Sequence, residues 1–485
     1  MSHAATGVVI AIVTTAAFAP LALSVREGRP AAHEAPSPKL PETLDVVAID
    51  AWLAAQPGRM HAVGLSVAIV SDGEIVLQKG YGKASRETGA AVDEHTEFAL
   101  GSITKQFTCA AALLLEQDGK LSFDDPVAKY FPQLARANDI TLADLGAHVA
   151  GYPDNYPLDF LDDRFRHPAD TDAVLQQYAG GKLDFEPRTR WSYSNTGFLL
   201  LGRVVEKVSG MPLGQFLAKR VFEPLGMADT HLEPPAGTPG LAQGYTSFAL
   251  GDPEKAEREA PGWIGGAGAL YASAGDLARW NVALMQGRVL EPASVARMTT
   301  PRTLPDGRST EYGCGLGTGR REGETTWGHS GAVNGFLAYS TMLPRTTSSV
   351  VVLSNYDQVD AGATIRKKLV DLLFQAHDTR PPVVHGPPAK EAARDMFAQL
   401  QSGTVDRAHI GKEYGELLTE ERVRATAARL GPFGPPKEVT VERRSERGGM
   451  EVAQVTFVFE RRKLSGTMFR SPDGVVQQLL VVDDE

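Results

Sequence analysis

Apolar residues recur at three- and four-residue spacing between residues 42 and 56, which predicts a helix there. From Leu65 to Ala84 the pattern is that of strands. Asp72-Gly73 divides the run in the middle, so it reads as a β-hairpin. Helical spacing returns from Ser102 to Leu115, with Gly119 placed to cap the C-terminal end. Residues 146–190 are rich in Gly, Pro, Asp and aromatics and show little periodicity, so they read as a long irregular excursion. Residues 197–227 hold two helices divided at Ser209-Gly210. Ser273-x-x-Asp276 reads as a capping box that opens a helix through Met285. Residues 326–354 read as two or three strands, and 361–376 as a closing helix.

The pattern changes at a Pro-rich linker, residues 378–390. Beyond it, two short helices precede four strand-like segments, which predicts a small α+β accessory domain over residues 391–485. The main domain is expected over residues 42–377. Ahead of it, Ala4 to Val25 carry no charge. Residues 1–25 fit two readings. One is a signal peptide, with a small-residue site such as Ala17-Phe18-Ala19; the other is a single-span anchor of roughly 20 apolar residues. Either implies export to a periplasmic or extracellular location, with attachment to the membrane if the segment is kept. Residues 26–41 read as an unfolded tether.

Composition narrows the function classes. Of 485 residues, 49 are Lys or Arg and 59 are Asp or Glu, a net charge of −10 without long basic runs. That is a poor nucleic-acid binder. Two cysteines rule out a disulfide framework and a Cys-based metal site. In isolation, Cys109 and Cys314 read as two buried free thiols rather than a pair. No His-Glu-x-x-His is present, so neither a metal nor a cofactor is expected.

Three short segments carry candidate chemistry. Ser102 and Lys105 stand three residues apart, on one face at the start of a helix. Free N–H groups there favour a developing alkoxide, and a desolvated lysine can accept the serine's proton. Alone, the pair is equally a capping serine beside a solvated lysine. Tyr193 and Asn195 follow the irregular excursion: the phenol can shuttle a proton to a leaving group, and the amide can hold Lys105 or a substrate. Alone, they are an aromatic turn with an Asn cap. His329, Gly331 and Ala332 form the third segment. Gly331 permits close backbone approach, and the Ala332 N–H can join that of Ser102 in an oxyanion hole. His329 can bind a substrate carboxylate or assist the proton relay; alone, it is a surface turn. Gly328-His329-Ser330-Gly331 is no nucleophile elbow, because position 332 is Ala. The glycines of 313–319 lack the Gly-Lys-Ser/Thr of a phosphate loop and read as a closely packed strand.

In the order Ser-x-x-Lys, Tyr-x-Asn, His-x-Gly, about 90 and then about 135 residues apart, these segments resemble the penicillin-recognising serine hydrolases. The likeness is to the branch holding class C β-lactamases, D-alanyl-D-alanine carboxypeptidases and esterases. It extends over the flanks, roughly residues 42–376. It implies an α+β fold of the β-lactamase/transpeptidase type: an all-helical lobe beside an antiparallel sheet flanked by helices, followed by the small α+β tail. It also implies roles: Ser102 as acylated nucleophile, Lys105 tuning its proton, Tyr193 as general base and then general acid, and Asn195 binding Lys105 and a substrate amide. His329 stands where many class C β-lactamases carry lysine, which is similar to D,D-peptidases, D-aminopeptidases and esterases. The implied activity is hydrolysis of an ester, D-amino-acid peptide or β-lactam through an acyl-enzyme. The implied partner is a small-molecule or peptide substrate, cell-wall D-peptides among them. The alternatives are a dedicated class C-like β-lactamase and a catalytically silent penicillin-binding sensor. One departure stands out: relatives often read His-Thr-Ser-Gly where this chain has His148-Val149-Ala150-Gly151. It touches no catalytic role that the motifs define.

Overall fold

The computed structural model describes residues 38–485 apart from 159–160, 250, 322–323, 379–381, 461 and 484–485. The signal-or-anchor segment and most of the tether lie outside the described residues. Among those described, no helix is long and apolar enough to cross a membrane.

The main sheet has six antiparallel strands: β1 (Gly64–Ser71), β2 (Glu74–Gly82), β3 (Gly317–Arg321), β4 (Glu324–Val333), β5 (Phe336–Leu343) and β6 (Ser348–Ser354), in the order β2-β1-β6-β5-β4-β3. Asp72 and Gly73 form the β1–β2 turn, both at positive φ, as a tight hairpin requires. Every residue of β1 is buried because both faces of the sheet are covered. Leu65, Val67 and Ile69 face one core, with helices α1 (Val46–Ala54) and α5 (Ala361–Asp378); Ala68 and Val70 face the other.

The second core builds the helical lobe around α2 (Thr104–Gln117), buried from Thr104 to Leu115. Against it pack α3 (Asn195–Ser209), a four-residue helix Gly265–Gly268, and α4 (Ala274–Met285). The short helix needs its glycines. A Cβ on Gly266 would stand 3.0 Å from the Phe198 carbonyl and 3.1 Å from Thr108 Oγ1.

After residue 388 a separate hydrophobic core begins. Helices α6 (Ala389–Ser402) and α7 (Glu420–Leu430) pack with a four-stranded antiparallel sheet, β7 (Glu438–Arg447), β8 (Met450–Val458), β9 (Lys463–Arg470) and β10 (Val476–Asp483), in sequence order. Phe397 stacks on Phe457 at 4.4 Å between ring centres.

The mixed fold is therefore the one expected, with four local differences. Residues 146–190 are not wholly irregular: Thr171–Ala179 is a helix capped by Asp170 and anchored by buried Val174, Leu175 and Ala179. The capping box at α4 is half formed. Ser273 accepts from the Asp276 N–H, but the Asp276 carboxylate turns to the Asp229 N–H and Thr230 hydroxyl. The glycine-rich run becomes strand only at Gly317. Finally, Cys109 and Cys314 are not free thiols. They form a disulfide, with Cα atoms 5.9 Å apart and a sequence separation of 205. Gly146 makes room for it: a Cβ there would stand 2.5 Å from Cys314 Sγ.

Candidate active site

Ser102 lies on a single 3-10 turn, Gly101–Ile103, that leads directly into α2. Gly101 has φ +50°. The edge of β4 presses against this turn so closely that only glycine fits. A Cβ on Gly331 would stand 1.9 Å from the Leu100 carbonyl and 3.0 Å from Ser102 N, and one on Gly101 would stand 2.8 Å from Ala332 N. The two backbone N–H groups singled out in the sequence thus flank one seam.

One helical turn on, Lys105 is fully buried. Its Nζ is 2.7 Å from Asn195 Oδ1, 2.8 Å from the Ala267 carbonyl and 3.0 Å from Ser102 Oγ. Among the described residues, no carboxylate hydrogen-bonds to it. Burial pulls the ammonium pKa down to about 7, partly opposed by the Asp154 charge. Two of the three neighbours are pure acceptors. A neutral amine donates both its hydrogens to them and turns its lone pair toward Ser102.

On the other side, the Tyr193 hydroxyl donates to Ser102 Oγ at 2.7 Å. Burial pushes the phenol pKa well up; the bond to Ser102 lowers it and the Asp154 charge raises it further. The Lys105 Nζ stands 4.8 Å from the Tyr193 ring centre. Asn195 opens α3, and its side-chain nitrogen donates to Asp154.

His329 is drawn close to Tyr193, with ring centres 6.3 Å apart. Its Nδ1 faces the Ser330 carbonyl, which can only accept, so the proton is assigned to Nδ1 and Nε2 accepts from the Tyr312 hydroxyl at 2.8 Å. Burial, then the nearby Lys105, lowers its pKa to about 4. His329 is therefore a neutral ring with both nitrogens engaged, and it offers no positive charge to a substrate carboxylate.

The motifs missed several groups. The Ala267 carbonyl is a backbone atom and leaves no side-chain signature. Asp154 sits in the segment read as irregular. His148, noted only as part of a departure, is buried with φ +58° and packs its ring at a tilt against Tyr193 and Tyr312, with ring centres 4.2 Å and 4.8 Å away. Its Nδ1 accepts the Ser194 N–H at 3.1 Å, which holds the Tyr193 segment in place. Burial, then Lys105 and His329, keep its pKa well below the ordinary histidine range. Among the described residues, no group of three or more His, Cys, Asp or Glu is placed to hold a metal ion.

A family model described as Beta-lactamase matches residues 49–373. An unguisins hydrolase of Aspergillus campestris is 31% identical over 341 residues, 64% of this chain and 62% of that protein. A D-aminopeptidase of Brucella anthropi is 28% identical over 325 residues, 65% of this chain and 60% of that protein. The chain thus spans about three-fifths of the length of these curated relatives. Among solved structures, an octameric penicillin-binding protein homologue from Pyrococcus abyssi superposes with a TM-score of 0.58 at 22% identity. That match covers 91% of this chain and 100% of the other, so it includes most of the tail and carries the fold alone.

Proposed function

The chain belongs to the Beta-lactamase family, and from that membership we propose that it is a serine hydrolase working through an acyl-enzyme on Ser102. The observation that carries the reading is the position of Ser102 Oγ, 2.7 Å from Tyr193 Oη and 3.0 Å from Lys105 Nζ. Lys105, with its pKa near neutrality, takes the Ser102 proton as Oγ attacks the substrate carbonyl. This moves the base role of acylation from Tyr193, whose phenol holds its proton, to Lys105. The N–H groups of Ser102 and Ala332 stabilise the oxyanion. Tyr193 gives its proton to the departing amine or alcohol and recovers one from Lys105. Water then attacks the ester, passing its proton back along the same pair, and the acid leaves with Ser102 restored.

The substrate class we favour is an amide, peptide or ester whose acyl part is a D-amino acid. Relatives named D-aminopeptidase support this. So does the neutral His329, which leaves no cation at that position for a carboxyl-terminal carboxylate. An exported location suits cell-wall D-peptides as the source, and the uncharged segment Ala4–Val25 supports it. The test is a kcat/KM panel over D- and L-amino-acid amides, p-nitrophenyl esters and β-lactams. D-amides or D-esters are expected to lead. A preference for β-lactams over all of them would make the protein a β-lactamase instead.

A further inference from the structure

Lys105 can serve as a base only if its lone pair points at Ser102, and its other two contacts decide that direction. The Ala267 carbonyl can only accept. Asn195 is ambiguous, because its side chain carries an acceptor and a donor, and turning the amide over would present N–H groups to Lys105. Something must hold Asn195 with its oxygen inward.

We infer that Asp154 is a positioning residue for the acyl transfer: its carboxylate fixes the orientation of Asn195 and, through it, the direction of the Lys105 lone pair. The inference rests on the function proposed above. Its geometry is specific. The Asn195 side-chain nitrogen donates to Asp154 Oδ1 at 3.1 Å and Oδ2 at 3.3 Å and, at a longer 3.4 Å, to the Tyr156 carbonyl, and the Asn195 backbone N–H donates to Oδ1 at 2.9 Å. A carboxylate accepts and cannot donate, so the amide nitrogen must face Asp154 and the oxygen must face Lys105. The same bonds place an acid at the N-terminus of α3, where Ser194 supplies no side-chain cap.

Asp154 is itself held on several sides. Its carboxylate accepts the Tyr156 N–H at 3.1 Å. Thr196 of α3 donates to the Pro153 carbonyl at 2.6 Å and accepts the Asn155 N–H at 3.0 Å, and Asn155 donates its side-chain amide to the Trp263 carbonyl at 2.9 Å. The loop therefore registers against both α3 and the segment that leads to Ala267. The titratable groups around Lys105 are Asp154 from this loop, Tyr193 ahead of α3, His148, Tyr312, and His329 on β4. Of these, Asp154 favours the ammonium form, so removing its charge makes Lys105 easier to deprotonate.

The test is Asp154→Ala, compared with the parent by the rate of fluorophosphonate labelling at Ser102 across pH 5 to 9. The methyl group offers the Asn195 amide no acceptor, so on that side its orientation is left to the longer 3.4 Å bond to the Tyr156 carbonyl. The plateau rate is expected to fall tenfold or more, while the acid limb moves to lower pH and KM for a D-amide changes little. A plateau within threefold of the parent, or an acid limb that stays or rises, overturns the inference. If Asp154→Ala does not fold, Asp154→Ser is read by the same criteria. Failure of the parent to label at Ser102 overturns the proposed function together with this inference. Normal parent labelling with an unchanged variant overturns this inference alone.

Discussion

Arg470 in the tail and Lys105 in the main domain are both buried cations, 2% and 0% exposed. Arg470 is held through Nε to Glu451 Oε2 at 2.7 Å, with a second guanidinium nitrogen on the same oxygen and a third nitrogen on the Pro387 carbonyl. Glu451 is fully buried as well and also accepts from Arg444. Lys105 has no such partner among the described residues. Neutral oxygens surround it, and the nearest carboxylate named in its site, Asp154, is separated from it by Asn195. A paired buried charge fixes a domain; a buried cation left without a direct counter-charge holds its proton loosely and becomes available for chemistry.

The strongest way to break this contrast is to remove each partner in turn. Lys105→Ala is expected to lower acylation by about 10²–10⁴-fold while the far-UV spectrum and unfolding midpoint stay near those of the parent, measured by stopped-flow labelling and thermal melting. Glu451→Ala should do the reverse. It strands a buried guanidinium, costing about 3–5 kcal/mol, read by urea unfolding of the full chain, while Ser102 labelling survives wherever the main domain remains folded. If the lysine variant unfolds and the glutamate variant does not, the two roles are exchanged.

The next test concerns the disulfide one helical turn beyond Lys105. It closes a 205-residue separation, and Cys109→Ser with Cys314→Ser is expected to cost about 2–5 kcal/mol in denaturant unfolding. Gly315, next to Cys314, lies against Lys105: a Cβ there would stand 2.6 Å from the Lys105 carbonyl oxygen. Loss of the link should therefore reduce the acylation rate as well as stability.

Smaller effects follow from pH. With Lys105 near 7, the neutral fraction falls about tenfold for each unit below that, so kcat/KM should climb between about pH 6 and 8. A flat profile there would place Lys105 with Arg470 as a fixed charge. Stability has its own sign. Lys105 is less basic folded than unfolded, so the unfolded chain holds the extra proton between about pH 7 and 10.5, and stability rises with pH through that window. Lys105→Met should then raise the melting temperature, most at the acidic side. His329 acts likewise at lower pH. Its native value of about 4 against 6.5 means stability is lost as pH falls between them, and His329→Asn should flatten that loss.

The reach of the sequence varies with the kind of atom involved. That Ser102, Lys105, Tyr193, Asn195 and His329 come together was legible only from the order and spacing of three short segments and the family they resemble; each segment alone had a bland reading. Of the main sheet, β1 and β6 stood out most plainly, because strands buried on both faces read as apolar runs. The Ala267 carbonyl was hidden because any residue supplies one, and its place depends on glycines that let a short helix press against α2 and α3. Asp154 and His148 were hidden because they sit in a segment without periodicity, where long-range contacts decide conformation. The Thr171–Ala179 helix had a local signal, an Asp cap followed by spaced apolar residues, which the surrounding Gly and Pro obscured. The Cys109–Cys314 pair needed tertiary proximity across 205 residues, which no local pattern encodes.

The most direct measurement is the intact mass, followed by peptide mapping, of the protein quenched during turnover of a D-amino-acid p-nitrophenyl ester. An adduct of the acyl mass on the Ser102 peptide, absent from Ser102→Ala and strongly reduced in Lys105→Ala, is the predicted result. Hydrolysis at the parent rate by Ser102→Ala, or an adduct on a different residue, would contradict it.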